Sequence, residues 1–188
     1  MIEIDGNHLS LSQVAAVARH REPVRLASAA QQRMEQAHAW VQEIVAAGSP
    51  VYGINTGFGV FADQIITPAD ATRLTRNLIL SHAVGTGPAL PAEVVRAAML
   101  IRANTLASGY SGVRPTVVET LLSMLNAGVT PVVPAQGSLG SSGDLAPLSH
   151  LALVFSTDEA DREEDSGYAV YQGEQMSGKA AMQAAGIP

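Results

Sequence analysis

The sequence contains no cysteine, which excludes both a disulfide framework and a thiolate metal site. Aromatic residues make up only 4% of the chain, with a single tryptophan. A core of that composition is filled by Ala, Val, Leu and Ile, which suits helices packed at close approach. Basic residues are in the minority: 11 Lys and Arg against 17 Asp and Glu leave a formal net charge of −6, with a pI of about 5.3. That balance argues against nucleic acid or an anionic membrane as partner. No apolar stretch approaches the roughly 20 residues needed to span a bilayer. The opening MIEIDGNHLS also lacks the basic segment and apolar core of an export signal, so a soluble, cytoplasmic chain is expected. The five histidines, at 8, 20, 38, 82 and 150, form no pair at helical ligand spacing, and no metal site is expected.

What is present is an apolar, helix-forming chain. Its 188 residues are 47% hydrophobic, with a mean hydropathy of +0.16. That is enough for one domain over 1–188 with a real core, and the apolar excess points to burial against further protein. Pro and Gly divide the sequence into helical pieces, which predicts an all-α fold with short extended loop segments. Leu11 to His20 follows Ser10 as a first helix. Ser28 is a candidate cap for a longer one carrying Met34, Ala37, Val41 and Val45 at spacings of three and four, stopped by Gly48. Thr67-Pro68-Ala69-Asp70 combines a cap, a proline at the first helical position and an acid in the first turn, and predicts a helix to about His82.

Pro91 opens the next helix, which fades near Ser108; its Ala97, Ala98, Ala103 and Ala107 suit close approach by neighbours. Pro115 opens another, with Val118, Leu121, Leu122 and Leu125 on one side and Gly128 as terminator. Thr130 to Pro134 is predicted extended, because proline disfavours helix at the preceding residue. Asp144 is a candidate cap for Leu145 to Phe155. The run Asp158 to Asp165, with six acids, reads as a solvated surface loop. Tyr168 to Met176 reads as a hairpin, and Ser177 as the cap of a last helix.

The run with the most chemistry is Gly137 to His150, GSLGSSGDLAPLSH. Read locally, its Ser-Gly-Asp is a turn before a helix. The same residues can also build an electrophile from protein alone. Gly143 has no Cβ, so its amide nitrogen can fold back and attack the carbonyl carbon of Ser141, closing a five-membered ring that becomes an imidazolone on loss of water. If Ser142 then loses its hydroxyl as water, its Cβ becomes an exocyclic methylene conjugated to that ring. Two further blocks stand upstream, VYGINTGFG from Val51 to Gly59 and NLILSHAVG from Asn77 to Gly85.

These three blocks, in this order and at this spacing, resemble the aromatic amino acid ammonia-lyases, the family of histidine, phenylalanine and tyrosine ammonia-lyases and related aminomutases. The resemblance runs from about Leu9 to the C-terminus. It implies that Ser141, Ser142 and Gly143 form 4-methylidene-imidazol-5-one (MIO) autocatalytically. The family usually has alanine at the first ring position, where this chain has Ser141; that residue gives the ring only its carbonyl carbon, and its side chain hangs outside.

The resemblance further implies a role for each block in removing ammonia from an amino acid. The amine is a poor leaving group, and the methylene at Ser142 supplies the electron sink for its departure. The β-proton is barely acidic, and Tyr52 is the implied general base. A phenol, with an ordinary pKa of about 10, needs a supportive environment for that task. Without the resemblance, Tyr52 is a half-buried residue in a Gly-rich turn. Glycines at 53, 57 and 59 suit a loop that closes over substrate.

Ser81-His82 matches the family's histidine-type arrangement, with His82 exchanging a hydrogen bond with the substrate imidazole. Locally, His82 reads as a histidine interacting with the last carbonyls of a helix. The implied reaction is L-histidine to trans-urocanate and ammonia. Family members are homotetramers of well over twice this length, so a complementary C-terminal part is expected to complete the site. Three readings stay open: the N-terminal portion of a histidine-specific lyase, a family lyase or aminomutase acting on tyrosine or phenylalanine, and a non-catalytic domain for folding or assembly.

Overall fold

The computed structural model describes residues 1–156 and 161–188, with Pro68 and Ala69 described by backbone alone. Among these residues the chain forms seven α-helices, with short strands in three small sheets. The all-α expectation holds. Strand β1 (Ile2–Ile4) pairs in parallel with β2 (Val24–Leu26) across helix α1 (Leu11–His20). Helices α2 (Ser28–Ala47) and α3 (Pro68–His82) follow, then β3 (Thr86–Ala89), α4 (Ala92–Ala107) and α5 (Pro115–Ala127). Beyond these come β4 (Thr130–Pro131), β5 (Pro134–Gln136), α6 (Leu145–Phe155), the hairpin strands β6 (Tyr168–Tyr171) and β7 (Glu174–Ser177), and α7 (Gly178–Ala184). Among the described residues no helix is long and apolar enough to cross a membrane.

Local capping chemistry explains several of the helix ends. Ser10 accepts the Gln13 N–H while the Gln13 side chain accepts the Ser10 N–H, a reciprocal cap. Thr67 accepts the Asp70 N–H at the start of α3, and Ser177 accepts the Ala180 N–H at the start of α7. Gly48 and Gly128 end α2 and α5 in the left-handed conformation. Ser28 differs from expectation: it is the first helical residue, and the cap position belongs to Ala27, which makes no side-chain cap bond.

The core centres on α4 and α5, where Met99, Leu100, Val118, Leu121 and Met124 are fully buried against Val17 of α1 and Val154 of α6. Ala103 and Ala107 are buried in it as expected. Ala97 and Ala98 instead line a hollow of about 460 Å³ between α1 and α4. Arg96 is the one charged side chain among the buried described residues. It donates to the carbonyls of Val17 and Ala18 at the end of α1, and to that of Leu125 at the end of α5. These are end-of-helix carbonyls of the kind that lack an intrahelical partner.

In the acidic run, Asp158, Glu159 and Ala160 lie outside the described residues. The expectation that its acids sit in water fails for Asp161. Its carboxylate meets Arg76 of α3 at 3.0 Å, and the two side chains are only 21% and 17% exposed. Arg76 also donates to the Asp165 carbonyl at 2.7 Å, so this stretch is fastened to the helix that carries His82.

Candidate active site

Ser141, Ser142 and Gly143 lie in the turn between β5 and α6. Both serines are exposed. Gly143 has φ +74°, a left-handed conformation that favours glycine, and a Cβ there would stand 3.2 Å from Ser138 Oγ. The chain therefore reverses at the triad, and the atoms that must condense belong to a bend already formed. A glycine in the left-handed region after two exposed serines is a backbone that suits the MIO group. Asp144 occupies the N-cap position of α6 but caps nothing, contrary to the local reading. Its carboxylate instead accepts from Arg102 of α4 at 2.8 Å, which fastens the end of the triad to the core helix.

His82 ends α3, half-buried. Its Nδ1 lies 2.7 Å from the Leu78 carbonyl and 3.2 Å from Ser81 Oγ, and that hydroxyl donates to the same carbonyl. A carbonyl only accepts, so Nδ1 carries a proton, and in the neutral tautomer this bond selects, Nε2 is an acceptor. Both readings of His82 thus meet in one geometry: the bond to the helix end orients the ring, and the second nitrogen is left available for a donor.

The segment after His82 packs against the ring-forming loop. Strand β3 pairs antiparallel with β5, Thr86 opposite Gln136 and Ala89 opposite Pro134. A Cβ on Gly137 would stand 3.1 Å from Gly85 Cα and 3.2 Å from Ala146 Cβ, so these two glycines touch backbone to backbone beneath the start of α6. The Gly85 N–H donates to His150 Nε2 at 2.9 Å. Burial lowers the pKa of His150 from its ordinary value. Sequence reasoning gave His150, Arg102 and Asn55 no part in the site. His150 stands inside the motif, but its partner lies 65 positions away and leaves no local signal.

Tyr52 lies on the Val51–Gly59 loop, and its side chain is 65% exposed rather than half-buried. Its ring meets Phe58 edge to face, with centroids 6.0 Å apart. Asn55 holds the loop in shape: its Oδ1 accepts the Val51 N–H, and its Nδ2 donates to the Ser49 carbonyl. Two backbone bonds, Gly57 N–H to Gln64 and Ile66 N–H to Asn55, join the loop to the chain entering α3. A cavity of about 110 Å³ lies beneath it, lined by Ile54, Thr56, Phe58, Leu74 and others. Helix α3 has 15 residues and is therefore ~22 Å long, with the Tyr52 loop anchored at one end and His82 at the other. No hydrogen bond or ring contact among the described residues joins Tyr52 to His82 or to the ring serines. The fold brings the His82 segment and the serine loop together and leaves Tyr52 on a separate loop.

The chain is similar over nearly its whole length to known proteins. Residues 9–188 match the family model described as aromatic amino acid lyase. The chain is 49% identical over 187 residues to a histidine ammonia-lyase of Caldanaerobacter subterraneus subsp. tengcongensis, covering 100% of this chain and 35% of that relative. Among solved structures it is similar to an ergothionase from Treponema denticola, with a TM-score of 0.88 at 31% identity over 99% of this chain and 36% of that one. It is also similar to the histidine ammonia-lyase from Trypanosoma cruzi, with a TM-score of 0.85 at 31% identity over 100% and 34% respectively. The chain thus spans about a third of the length of the curated relatives it matches.

Proposed function

The chain belongs to the aromatic amino acid lyase family, and from that premise we propose that residues 1–188 are a single N-terminal MIO-bearing unit of a histidine ammonia-lyase. The assembled enzyme, a homotetramer completed by a complementary C-terminal part, converts L-histidine to trans-urocanate and ammonia. The MIO group supplies an electrophilic methylene that assists departure of the substrate amine. This chain contributes the backbone that condenses, Ser141, Ser142 and Gly143, and two side chains that act on substrate. Tyr52 acts as the base for the β-proton, a role that requires its phenolic oxygen to have released its own proton first. Its exposed loop, pinned at Asn55 and entering α3, is suited to close over a bound amino acid.

The observation that carries the histidine reading is the orientation of His82. With Nδ1 held by the Leu78 carbonyl, Nε2 is an acceptor aimed away from the helix end, and an imidazole N–H is a donor that fits it. A phenylalanine side chain has no such group, and would leave this half-buried acceptor without a partner from the substrate.

Intact-mass measurement tests the first step: the chain should weigh less than its sequence by two waters, localised to residues 141–143. Ser142→Ala should not show that loss, because it has no hydroxyl from which the methylene can form. Mixing the chain with the complementary C-terminal part should then produce urocanate absorbance from histidine, with tyrosine and phenylalanine as comparison substrates. Full unmodified mass in the assembled protein, or turnover confined to the other two amino acids, overturns the proposal.

A further inference from the structure

His150 has no part in the proposed reaction, yet it joins the two segments on which that reaction depends. It lies on α6, the helix that begins directly after the ring-forming residues. Its Nε2 accepts the N–H of Gly85, which belongs to the turn leaving His82. An imidazole nitrogen that accepts carries no proton, so Nδ1 holds it. Burial supports that neutral state.

Close packing leaves this turn little room to choose another path. A Cβ on Gly85 would stand 3.0 Å from His150 Nε2, 3.2 Å from Pro134 Cβ and 3.3 Å from the Gln136 carbonyl oxygen. The turn is thus wedged between β5 and α6 on backbone alone. Within that wedge the Gly85 N–H to His150 bond is the directional contact, since the ladder to β5 begins only at Thr86.

We propose that His150 is a positioning residue, which by holding the Gly85 amide from α6 sets the distance between the His82 imidazole and the electrophile formed at Ser142. The role rests on the histidine reading given above. Loss of the acceptor leaves Gly85 N–H unpaired in a tight place, and the turn shifts to satisfy it. His82 then moves with its helix end, while the ring-forming loop, fastened by Asp144 to Arg102, stays in place. The deficit falls on substrate binding more than on formation of the electrophile.

Two measurements test this. Long-range proton–nitrogen NMR of the histidine side chains in this chain should find His150 as the Nδ1–H tautomer at neutral pH, and the Gly85 amide resonance should move in His150→Leu. In the enzyme assembled with its C-terminal part, His150→Leu should raise KM for histidine about tenfold, the factor for one lost hydrogen bond, with a smaller change in kcat. His150→Gln, whose amide oxygen can stand near the position of Nε2, should restore KM. A purely structural role predicts a smaller active fraction at unchanged KM in both variants. The Nε2–H tautomer, an unchanged KM in His150→Leu, or equal KM defects in the Leu and Gln variants overturns the role; the Gln variant and the tautomer decide it if the Leu variant does not fold. An assembled wild type that makes no urocanate while His150 shows the expected tautomer overturns the histidine reading, and this role with it, but not the hydrogen bond.

Discussion

At the scale of single residues, the proposed choice of substrate rests on His82. Its ring is fixed by the Leu78 carbonyl, so the side chain does not have to be ordered when substrate arrives, and the available nitrogen is of one hydrogen-bonding type. Replacing it with leucine keeps an apolar side chain of comparable bulk and removes the acceptor. His82→Leu should lower kcat/KM for histidine by about 30-fold, equivalent to ~2 kcal/mol for one hydrogen bond in a water-excluded site. Activity toward phenylalanine should hold or rise, because its ring has no donor for the acceptor that the variant removes. Steady-state kinetics on all three substrates in the assembled enzyme checks this, and unchanged selectivity refutes the assignment. Ser141 illustrates the opposite case. In the proposed ring only its carbonyl carbon takes part, and its side chain is exposed, so serine in place of the family's usual alanine is expected to leave the proposed reaction unchanged.

Among the secondary-structure elements, the decisive contacts are those between helices far apart in sequence. Arg96 is the clearest. It is 3% exposed, its pKa is lowered by burial first and by the charge of Arg21 second, and its donors satisfy three carbonyls at the ends of α1 and α5. Arg96→Met keeps the apolar stem and leaves those carbonyls buried and unpaired. It should cost about 3 kcal/mol, read as a lower urea midpoint with the slope unchanged. This arrangement also marks the boundary of what the sequence alone could reveal. Helix ends were legible because caps are local: Ser10 with Gln13, Thr67 with Asp70, Ser177 with Ala180, and the glycines at 48 and 128. The proposed roles of Ser141, Ser142, Gly143, Tyr52 and His82 came from the residue types in three blocks that resemble the family, not from any long-range contact. The partners of Arg96, by contrast, lie from 29 to 79 positions away. Arg102 is 42 positions from Asp144, so Asp144 reads as a cap until the helices are docked. The ion pair between Arg76 and Asp161 was hidden for the same reason, since a run of acids looks solvated until a cation from another element closes over it.

For the molecule as a whole, apolar surface and titration point in related directions. Many of the exposed large apolar side chains stand beside the candidate site: Val60, Phe61 and Ile65 near the Tyr52 loop, Val84 after His82, Leu139 and Leu145 around the ring serines. Surface of that kind marks a place where further protein docks, and the wedge of Gly85 against His150 lies between those segments. Acid should therefore loosen the molecule at its most important junction. The folded state lowers the pKa of His150, so the unfolded chain binds its proton more readily. Stability from this group is complete above the ordinary histidine pKa of about 6.5, and it is lost as pH falls from there toward the lowered folded value. Asp5 acts in a separate window. Its carboxyl is held well below the usual carboxylate range, first by its hydrogen bond to the His8 ring and then by the Asn7 and His8 amides, and its contribution is lost only below about pH 4. Between about pH 7.5 and pH 5.5, then, the melting temperature should fall with a slope that His150→Gln reduces, since glutamine cannot take up the proton. Thermal melts of the two proteins across that interval measure the difference, and parallel curves would show that this half-buried imidazole does not govern the acid response.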